Sequence, residues 1–324
     1  MTYNNEILIS IIIPTHNRLH YLQEALESAL NQTYSNIEVI ICDNASTDET
    51  YNFFRDYKNL KVIYHRHENL IYPLDNWNSW VNVARGQFVT FLPDDDKLAP
   101  TFIEKCFHEF SDDNISLVKA GCYVINEKSE ITSYYLPFKD SSTSGLQYVL
   151  DRLNPRYSEV SLGSGYLFRK EDFVKLGGFL EIGFPKMHFV DDYLWFRIVL
   201  NGKYVKYINE KLWYYRDHAS NMAIVEDIQG FKNSFTIYVP ILLQLLKNQI
   251  SSSHDIVSFV ENEYADKIVK DRILGELSKN RRRKLSRSIR FLYKNRKIIV
   301  EYFGNKRIVS EFLLSVLSRF YGRL

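Results

Sequence analysis

The feature that most constrains how this chain folds is a regular alternation of short apolar runs and helical segments over its first hundred residues. The first apolar run, 7–13, is continuous and rich in isoleucine, and it ends at Pro14; this is the pattern of a strand buried on both faces. Further strands are predicted at 38–42, 61–64 and 87–92, and helices at 18–31, from residue 46 onward and at 73–84. This order predicts right-handed β-α-β units and a mostly parallel sheet with helices on both sides.

The pattern loosens after residue 100. Helices are predicted at 102–110, 170–176 and 191–200, strands at 117–125 and 161–169, a polar loop at 139–145, and helix throughout beyond residue 224. Ser46 and Glu49 have the spacing of a capping box at the start of a helix. We therefore divide the chain into a first half of one domain at 1–100, its second half at 101–225 and a helical extension at 226–324.

The composition is that of a globular protein. Of 324 residues, 45% are hydrophobic and 25% charged, which excludes a disordered chain, a collagen and a small disulfide-stapled fold. The three cysteines, Cys42, Cys106 and Cys122, lack a metal-binding spacing, and two lie in apolar runs, so we expect buried, reduced thiols and a reducing compartment. No apolar stretch approaches the roughly 18 residues of a membrane span, and the first apolar run does not resemble a signal peptide. These features favour a cytoplasmic protein.

Charge is distributed unevenly along the chain. Residues 280–324 hold 13 basic and two acidic side chains, a net charge of +11, whereas the rest holds 28 basic and 37 acidic side chains, a net charge of −9. An acidic body with a basic tail does not suit a nucleic-acid reader, whose basic residues surround the reading surface. The tail alternates basic and apolar residues and ends in an apolar segment at 308–320, which favours peripheral contact with an anionic membrane. A solvated helical face or an oligomer contact is the alternative.

Three polar clusters fall where predicted strands end: Thr15-His16-Asn17-Arg18, the segment 43–48 (DNASTD) and Asp94-Asp95-Asp96. Each cluster taken alone is typical of a cap, a turn or a solvated loop. The carboxyl ends of parallel strands share one edge of the sheet, however, and ligands bind there. Crowded carboxylates repel one another unless a cation lies between them, so the third cluster predicts a divalent metal bound with phosphate oxygens. Neither standard glycine-rich phosphate loop is present.

These motifs resemble those of family 2 glycosyltransferases, and the resemblance runs from Ser10 to about Asn221. It rests on the segments 10–18 (SIIIPTHNR), 25–34 (ALESALNQTY), 38–48 (EVIICDNASTD), 76–78 (NWN), 84–86 (ARG), 92–96 (LPDDD), 177–179 (GGF) and 215–218 (YRDH). Their order, spacing and predicted secondary structure all agree with the family. The resemblance implies a GT-A fold with a Rossmann-like central sheet, here followed by the C-terminal helical extension. It also implies an inverting, metal-dependent enzyme that uses a nucleotide-diphosphate sugar.

The resemblance assigns roles to the residues that match. The nucleotide-sugar is implied to contact Pro14, Thr15, His16, Asn17, Arg18, Asp43, Asn44, Asn78 and Asp94, with Asp43 on the nucleobase. A Mn²⁺ or Mg²⁺ cofactor is implied to bind Asp95, Asp96 and His218. A loop facing the sugar, acceptor and diphosphate is implied at Gly163, Ser164, Gly165 and Arg216. Pro93 stands where the family usually has the first aspartate of its metal motif, so the division of labour among the three aspartates stays open, as does a structural role for His218.

Asp191 and Asp192 are the candidates for the catalytic base. An inverting transfer needs a group that takes the proton from the acceptor hydroxyl, and a carboxylate that opens a helix can do so. Counting back from Arg197 favours Asp191, with Asp192 as a charge at the helix N-terminus; matching the pair by appearance favours Asp192. The alternative is a purely structural role, in which both carboxylates cap the helix.

The function implied is transfer of a sugar, from UDP in the commonest case, to an acceptor hydroxyl in bacterial cell-surface polysaccharide or glycan assembly. The expected partners are the nucleotide-sugar donor, a glycan or lipid-linked acceptor and an anionic membrane surface, but no nucleic acid. A sugar-phosphate nucleotidyltransferase shares the sheet and the metal, but it would carry a glycine-rich basic loop after the first strand, which is lacking here. A non-catalytic carbohydrate- or membrane-binding module of the same fold is the other alternative.

Overall fold

The structure is a computed structural model. It describes residues 6–80, 83–136, 141–153, 164–181, 190–201, 204–218 and 228–247. The chain divides into two compact units, one of residues 1–181 and 190–218 and the other of residues 182–189 and 219–324. The predicted boundaries at residues 100 and 225 stay predictions, and the basic segment 280–324 lies outside the described residues.

The first unit is built on one ten-stranded sheet. Its strands are β1 (Ile9–Thr15), β2 (Ile37–Asp43), β3 (Val62–Arg66), β4 (Phe88–Phe91), β5 (Lys97–Leu98), β6 (Ile115–Ile125), β7 (Ile131–Tyr135), β8 (Ser141–Ser144), β9 (Tyr166–Arg169) and β10 (Tyr204–Arg216). They follow the order β3-β2-β1-β4-β9-β6-β10-β5, with β7 paired to β6 and β8 to β10. The pairs among β3, β2, β1 and β4 are parallel, as is β6 with β10, while β9 runs antiparallel to both of its neighbours.

The helices of the first unit are α1 (Leu19–Leu30), α2 (Thr50–Arg55), α3 (Pro73–Ser79), α4 (Phe102–His108), α5 (Gly145–Leu153), α6 (Lys170–Lys175) and α7 (Val190–Val199). In the second unit the described residues form α8 (Ile228–Lys247). None of the described helices is both long enough and apolar enough to cross a bilayer.

The predicted strand pattern of the first hundred residues is confirmed: β1, β2 and β4 are buried almost throughout, whereas every residue of β3, at the edge of the sheet, is partly buried. Every residue of β2 is buried, and in β1 all but Pro14 are. Alternate residues of β1 share one core cluster with the apolar stripe of α1, formed by Leu22, Ala25, Leu26 and Ala29. Trp80 and Trp195 are buried in the core, and Trp77 is partly buried. The three cysteines are free and buried.

Two local predictions are wrong. Ser46 and Glu49 do not form a capping box: α2 starts at Thr50, its N-cap residue Glu49 makes no side-chain capping hydrogen bond, and the Thr50 amide donates to the Asp48 carboxylate at 3.1 Å. The predicted loop at 139–145 includes β8, whose short serine-rich strand pairs with β10. A four-residue polar strand at a sheet edge has no hydrophobic alternation, so its sequence does not reveal it.

Candidate active site

The loops after β1 and β2 interlock. Asn17 and Ala45 both have positive backbone φ angles, 56° and 53°, a conformation that L-residues rarely adopt outside turns and ligand sites. The Asn17 amide donates to the Ser46 hydroxyl at 2.9 Å, and the Asn17 side-chain oxygen accepts from the Thr47 amide at 2.6 Å. The first two polar clusters are therefore a single hydrogen-bonded unit.

His16 and Asn17 are exposed in this unit, as is Thr47 of the second cluster. The His16 Nδ1 atom lies 2.8 Å from the carbonyl oxygen of Asn44, which orients the imidazole. The side-chain amide of Asn44 is buried, and it forms two 2.9 Å hydrogen bonds with the backbone of Ile71. His16 and Asn17 thus face solvent where a ligand can reach them, whereas Asn44 holds the loop after β3 in place. Pro14, at the end of the apolar run, is partly buried.

Asp43 is buried at the end of β2 with both carboxylate oxygens engaged. One oxygen accepts from the Ser46 amide at 2.9 Å; the other accepts from the Tyr64 hydroxyl and lies 3.3 Å from Arg66 Nε. Burial and the adjacent Asp43 carboxylate raise the pKa of Tyr64 well above its usual value, so Tyr64 stays a hydrogen-bond donor. The carboxylate predicted to face the nucleobase is therefore fixed in orientation.

The third polar cluster meets the first through three side-chain contacts, and His218, just after β10, adds a fourth. Thr15 Oγ1 donates to Asp94 at 2.8 Å. One guanidinium nitrogen of Arg18 donates to both Asp94 and Asp95, at 3.2 Å and 2.9 Å. His218 Nε2 lies 2.9 Å from the same Asp95 oxygen, although 123 residues separate the two in sequence. The predicted donor residues and two of the predicted metal ligands are thus brought together.

The electrostatics of this cluster show that its carboxylates are crowded. Burial, followed by repulsion from Asp95, raises the pKa of Asp94 to about 6 in spite of the opposing charge of Arg18. The same two causes raise the pKa of Asp96 well above its usual value. Carboxylates in such surroundings favour any cation that can reach them.

Arg216 supports the third polar cluster from its buried side. Its side chain is fully buried, and its Nε donates to the Asp95 carbonyl at 2.7 Å. Its other nitrogens donate to the Ser129 hydroxyl at 2.9 Å and to Glu24 at 3.0 Å, while its amide donates to Asp96 at 2.9 Å. Arg216 and Asp96 are predicted to bind the diphosphate and the metal. In the structure their hydrogen bonds described above go to other residues of the protein, and these bonds support the loop after β4.

The candidate bases lie in the first turn of α7. Asp192 is paired with Arg152 of α5. Burial raises the pKa of Asp191 against the opposing charges of Arg152 and Lys119. Sequence reasoning missed both of these cations. The signal for Lys119 was present, since it is the sole charged residue in the otherwise apolar run 115–125.

The described hydrogen bonds of Asn78 lead to a segment outside the three polar loops. Its side-chain amide donates to the Phe179 carbonyl at 2.8 Å, and its side-chain oxygen accepts from the Phe179 amide at 3.0 Å. This pair of hydrogen bonds ties α3 to the segment after α6. The described contacts of Asn78 thus join it to this segment and not to the three polar loops.

The loop before β9 is closely packed, and Gly163 lies outside the described residues. The Ser164 carbonyl accepts a hydrogen bond from Lys119 Nζ. Gly165 has a φ of +80°, and a Cβ added there would lie 2.2 Å from Trp213 Nε1. Glycine is required at this position for both reasons.

A metal is compatible with this donor set. Among the described residues, no group of three or more His, Cys, Asp and Glu side chains is arranged around a common metal position. Mg²⁺ and Mn²⁺ need fewer protein ligands than this, because one or two carboxylates together with substrate phosphates and water complete their shells. Asp94 and Asp95 converge on one cationic nitrogen of Arg18, and His218 adds an imidazole beside them.

Relatives of known type resemble this chain over most of its length. The β-1,3-glucosyltransferase WfaP of Escherichia coli, named for UDP-Glc and α-D-GlcNAc-diphosphoundecaprenol, is 28% identical over 216 residues, covering 67% of this chain and 80% of WfaP. The glycosyltransferase GlyG of Streptococcus pneumoniae is 27% identical over 225 residues, covering 68% of this chain and 74% of GlyG.

Solved structures share the fold. TarS residues 1–349 of S. aureus, in complex with UDP, matches 97% of this chain and 82% of its own with a TM-score of 0.61 and 17% identity. The mannosyltransferase PcManGT of Pyrobaculum calidifontis, in complex with GDP-Man and Mn²⁺, matches all of this chain and 89% of its own with a TM-score of 0.51 and 15% identity. The fold is accordingly of the GT-A type. The family model described as Glycosyl transferase family 2 matches residues 10–176, so this chain belongs to glycosyl transferase family 2.

Proposed function

We propose that this protein is an inverting glycosyltransferase that transfers a sugar from a UDP-sugar to a hydroxyl of a lipid-linked acceptor in the assembly of a cell-surface glycan. The observation that carries the proposal is the meeting of three polar loops at one edge of the sheet, joined by the contacts of Thr15 and Arg18 with Asp94 and Asp95. Ligands of open α/β sheets bind at this edge.

The donor assignment rests on the loop after β2 and on the relatives. Arg66, at the end of β3 and ion-paired with the buried Asp43, has guanidinium donors that suit the carbonyl oxygens of uracil. WfaP carries UDP-Glc in its name, and TarS was solved with UDP. We extend UDP to this chain from these two similarities.

The metal assignment follows from the carboxylate chemistry. Asp94, Asp95 and His218 are the residues that would hold a divalent cation, and their oxygen and imidazole donors suit Mn²⁺ or Mg²⁺. When bound, such a cation neutralises the charge that develops on the departing diphosphate. Arg18 bridges the same carboxylates through one guanidinium nitrogen, and because a planar guanidinium matches phosphate oxygens we assign Arg18 to the diphosphate.

The base assignment favours Asp191. In direct displacement the acceptor oxygen bonds to the anomeric carbon while the bond from that carbon to the diphosphate breaks. The acceptor's proton then goes to the Asp191 carboxylate. A pKa raised by burial makes Asp191 a better proton acceptor than an ordinary aspartate. Asp192 is engaged with Arg152, which suits it to orient the first turn of α7 instead.

Peripheral membrane contact completes the proposal. WfaP is named for an undecaprenol-linked substrate, and a lipid-linked acceptor is presented at a bilayer surface. The basic segment 280–324, with its net charge of +11, suits an anionic leaflet.

The test is a transfer assay with UDP-, GDP- and dTDP-sugars, each with and without Mn²⁺, on GlcNAc-α-diphosphate carrying an alkyl chain. Donor binding is measured in parallel as a rise in melting temperature. We expect Asp95→Ala to abolish metal-dependent turnover and Asp191→Asn to abolish transfer while UDP binding persists. Full turnover in Asp95→Ala contradicts the metal assignment, and loss of transfer in Asp192→Asn alone moves the base by one residue. Binding without transfer or hydrolysis of any donor favours the non-catalytic module.

A further inference from the structure

Three tyrosines form a row across three neighbouring strands of the sheet. Tyr214 of β10 is paired in register with Tyr123 of β6, and Tyr123 is paired with Tyr134 of β7. Side chains directly opposite one another on neighbouring strands lie on the same face of a sheet. The rings of Tyr123 and Tyr214 are stacked, with centroids 5.3 Å apart and an interplanar angle of 22°. Tyr134 is 59% exposed and the other two are partly buried, so this aromatic row can be reached by a ligand.

Two lysines flank the aromatic row, and they differ in how their charge is balanced. Lys97 of β5 is paired in register with Tyr214, and its ammonium forms an ion pair with Glu24 at 3.2 Å. The Lys211 ammonium instead lies 5.5 Å and 4.9 Å from the centroids of the tyrosine rings in β6 and β7. Among the described residues, no carboxylate lies within ion-pair distance of Lys211. The more exposed end of the row therefore combines aromatic faces with an unbalanced positive charge.

One end of the aromatic row adjoins the loop after β4. The strands β4, β6 and β10 run in the same direction, because β9 is antiparallel to both β4 and β6 while β6 and β10 are parallel. Tyr214 lies two residues before the end of β10, on the same face as Arg216 and about 7 Å from it along the strand. Arg216 Nε donates to the Asp95 carbonyl at 2.7 Å, and His218 Nε2 lies 2.9 Å from an Asp95 carboxylate oxygen. The row thus starts beside the carboxylates at the carboxyl edge of the sheet.

The aromatic row also shares its face of the sheet with α7. Tyr123 and Lys119 are four residues apart in β6, so their side chains lie on one face. The Lys119 ammonium lies 3.8 Å from the centroid of the Tyr166 ring, and that ring packs against Trp195 of α7 with centroids 4.6 Å apart. The first turn of α7 contains Asp191. A molecule lying along the row would therefore be close both to the loop after β4 and to the helix that carries the proposed base.

We propose that the aromatic row binds the acceptor, a sugar diphosphate carried on a lipid, with the tyrosine rings against the sugar and Lys211 against the diphosphate. This inference rests on the proposed function and specifies where its acceptor binds. The less polar face of a sugar ring presents C–H groups, which pack on the electron-rich face of an aromatic ring. A lysine ammonium is a point charge that suits phosphate oxygens. An uncharged glycan would stack on the rings in the same way but would leave Lys211 without a counter-charge, so the unbalanced charge favours the diphosphate.

The experiment measures acceptor binding by calorimetry in the presence of UDP and Mn²⁺. The two probes are GlcNAc-α-diphosphate carrying an alkyl chain and the uncharged alkyl α-glycoside of GlcNAc. We expect Lys211→Gln to raise the Kd of the diphosphate about ten-fold and that of the glycoside less than two-fold, whereas Lys211→Arg should keep the native values. Tyr134→Leu should raise the Kd of both probes about five-fold, because both stack on the same ring. The Kd of UDP should stay at the native value in all three variants.

Tyr204→Leu and Lys61→Gln are the matched controls. Tyr204 is 45% exposed at the opposite end of β10, and Lys61 is exposed just before β3, at the far edge of the sheet. Both variants should bind the two probes with the native Kd. Weakening of the same size in these controls would mean that any loss of surface tyrosine or lysine has this effect, and it would overturn the assignment.

The other outcomes separate the acceptor site from the proposed function. An equal loss for both probes in Lys211→Gln, native Kd values in Tyr134→Leu, or no acceptor binding by the native protein overturns the site. A changed oligomeric state of Tyr134→Leu in light scattering, with the Kd unchanged, overturns it as well, because the face then joins two copies of the chain. If the native protein binds the acceptor but transfers no sugar, the proposed function fails and the Kd values still decide the site. If it transfers sugar and the variants keep the native KM for the acceptor, the site fails and the proposed function stands.

Discussion

Replacement of Glu38 by glutamine should lower the free energy of unfolding without changing the rate of sugar transfer. Glu38 is buried in β2, and one carboxylate oxygen accepts hydrogen bonds from the Ser10 hydroxyl at 2.7 Å, the Arg85 amide at 2.6 Å and the Gly86 amide at 3.0 Å. Its other oxygen accepts from Arg85 Nε at 2.9 Å. These contacts lie near the start of β1 and β4, at the end of the sheet opposite the polar loops.

The size of the effect follows from what glutamine keeps. Its carbonyl oxygen can still accept the three bonds from Ser10, Arg85 and Gly86, but without the charge that roughly doubles their strength. Its amide nitrogen faces Arg85 Nε, another donor, but the Arg85 side chain is 68% exposed and can turn to water. A loss of about 0.5–1 kcal/mol for each of three bonds gives a destabilisation of about 2 kcal/mol in the free energy of unfolding.

The effect should depend on pH. Burial alone would raise the pKa of Glu38, but the hydrogen bonds from Ser10, Arg85 and Gly86 outweigh it and hold the pKa below its usual 4.5. A lowered carboxylate pKa contributes stability that is fully present above the unfolded-state value and is lost as the pH falls through the folded-state value. The native protein and Glu38→Gln should therefore differ at pH 7 and converge below pH 4.5.

Urea unfolding followed by tryptophan fluorescence measures the difference, with Glu49→Gln as the control. Glu49 is exposed and accepts one hydrogen bond, from Asn52, so its replacement should change stability by less than about 0.5 kcal/mol. The kcat of Glu38→Gln at a temperature where the variant is folded should equal that of the native enzyme. Equal stability of the two variants at pH 7, or a difference that persists unchanged at low pH, refutes the reasoning.

Three further changes probe the site itself. Arg216→Met removes a buried guanidinium and should cost about 3 kcal/mol in urea unfolding while raising the Mn²⁺ concentration needed for half-maximal transfer. Gly165→Ala forces a Cβ onto Trp213 and should lower the free energy of unfolding by more than about 1 kcal/mol in the same urea assay and reduce transfer. Asn17→Gly keeps the positive φ but loses the side-chain bond to Thr47, so calorimetry should show weaker UDP binding while stability changes by less than about 1 kcal/mol.

Most of the first hundred residues could be predicted from the sequence, because their structure is decided locally. Continuous β-branched runs that end at a proline or a polar cluster have few alternatives to a buried parallel strand. The polar residues that follow β1, β2 and β4 then fall at one edge of the sheet by topology alone. The meeting of Thr15 with Asp94, 79 residues apart, is a consequence of the parallel pairing of β1 with β4.

The supports of the site could not be predicted in this way, because they join residues that share no local pattern. The contact of Arg216 with Glu24 spans 192 positions, and nothing near either residue indicates it. Asn78, matched to the donor site by its motif, instead binds Phe179, 101 positions away. A motif identifies which residue type a family keeps, but the partner of that residue is set by tertiary packing.

Among the described residues, Glu38 differs from Asp94, Asp96 and Asp191 in how far the protein itself satisfies the charge of the carboxylate. Glu38 is surrounded by donors, and its pKa is held below the usual value, so its charge is satisfied by the protein itself. Asp94 and Asp96 are buried and Asp191 is partly buried. Burial raises the pKa of all three, repulsion from Asp95 adds to the shift of Asp94 and Asp96, and the surrounding donors and cations do not offset these effects. Such residues are costly to folding, and perturbed groups of this kind concentrate where a ligand or a proton supplies the missing compensation. We therefore expect ligand binding and proton transfer at the acids whose pKa values are raised, and not at Glu38.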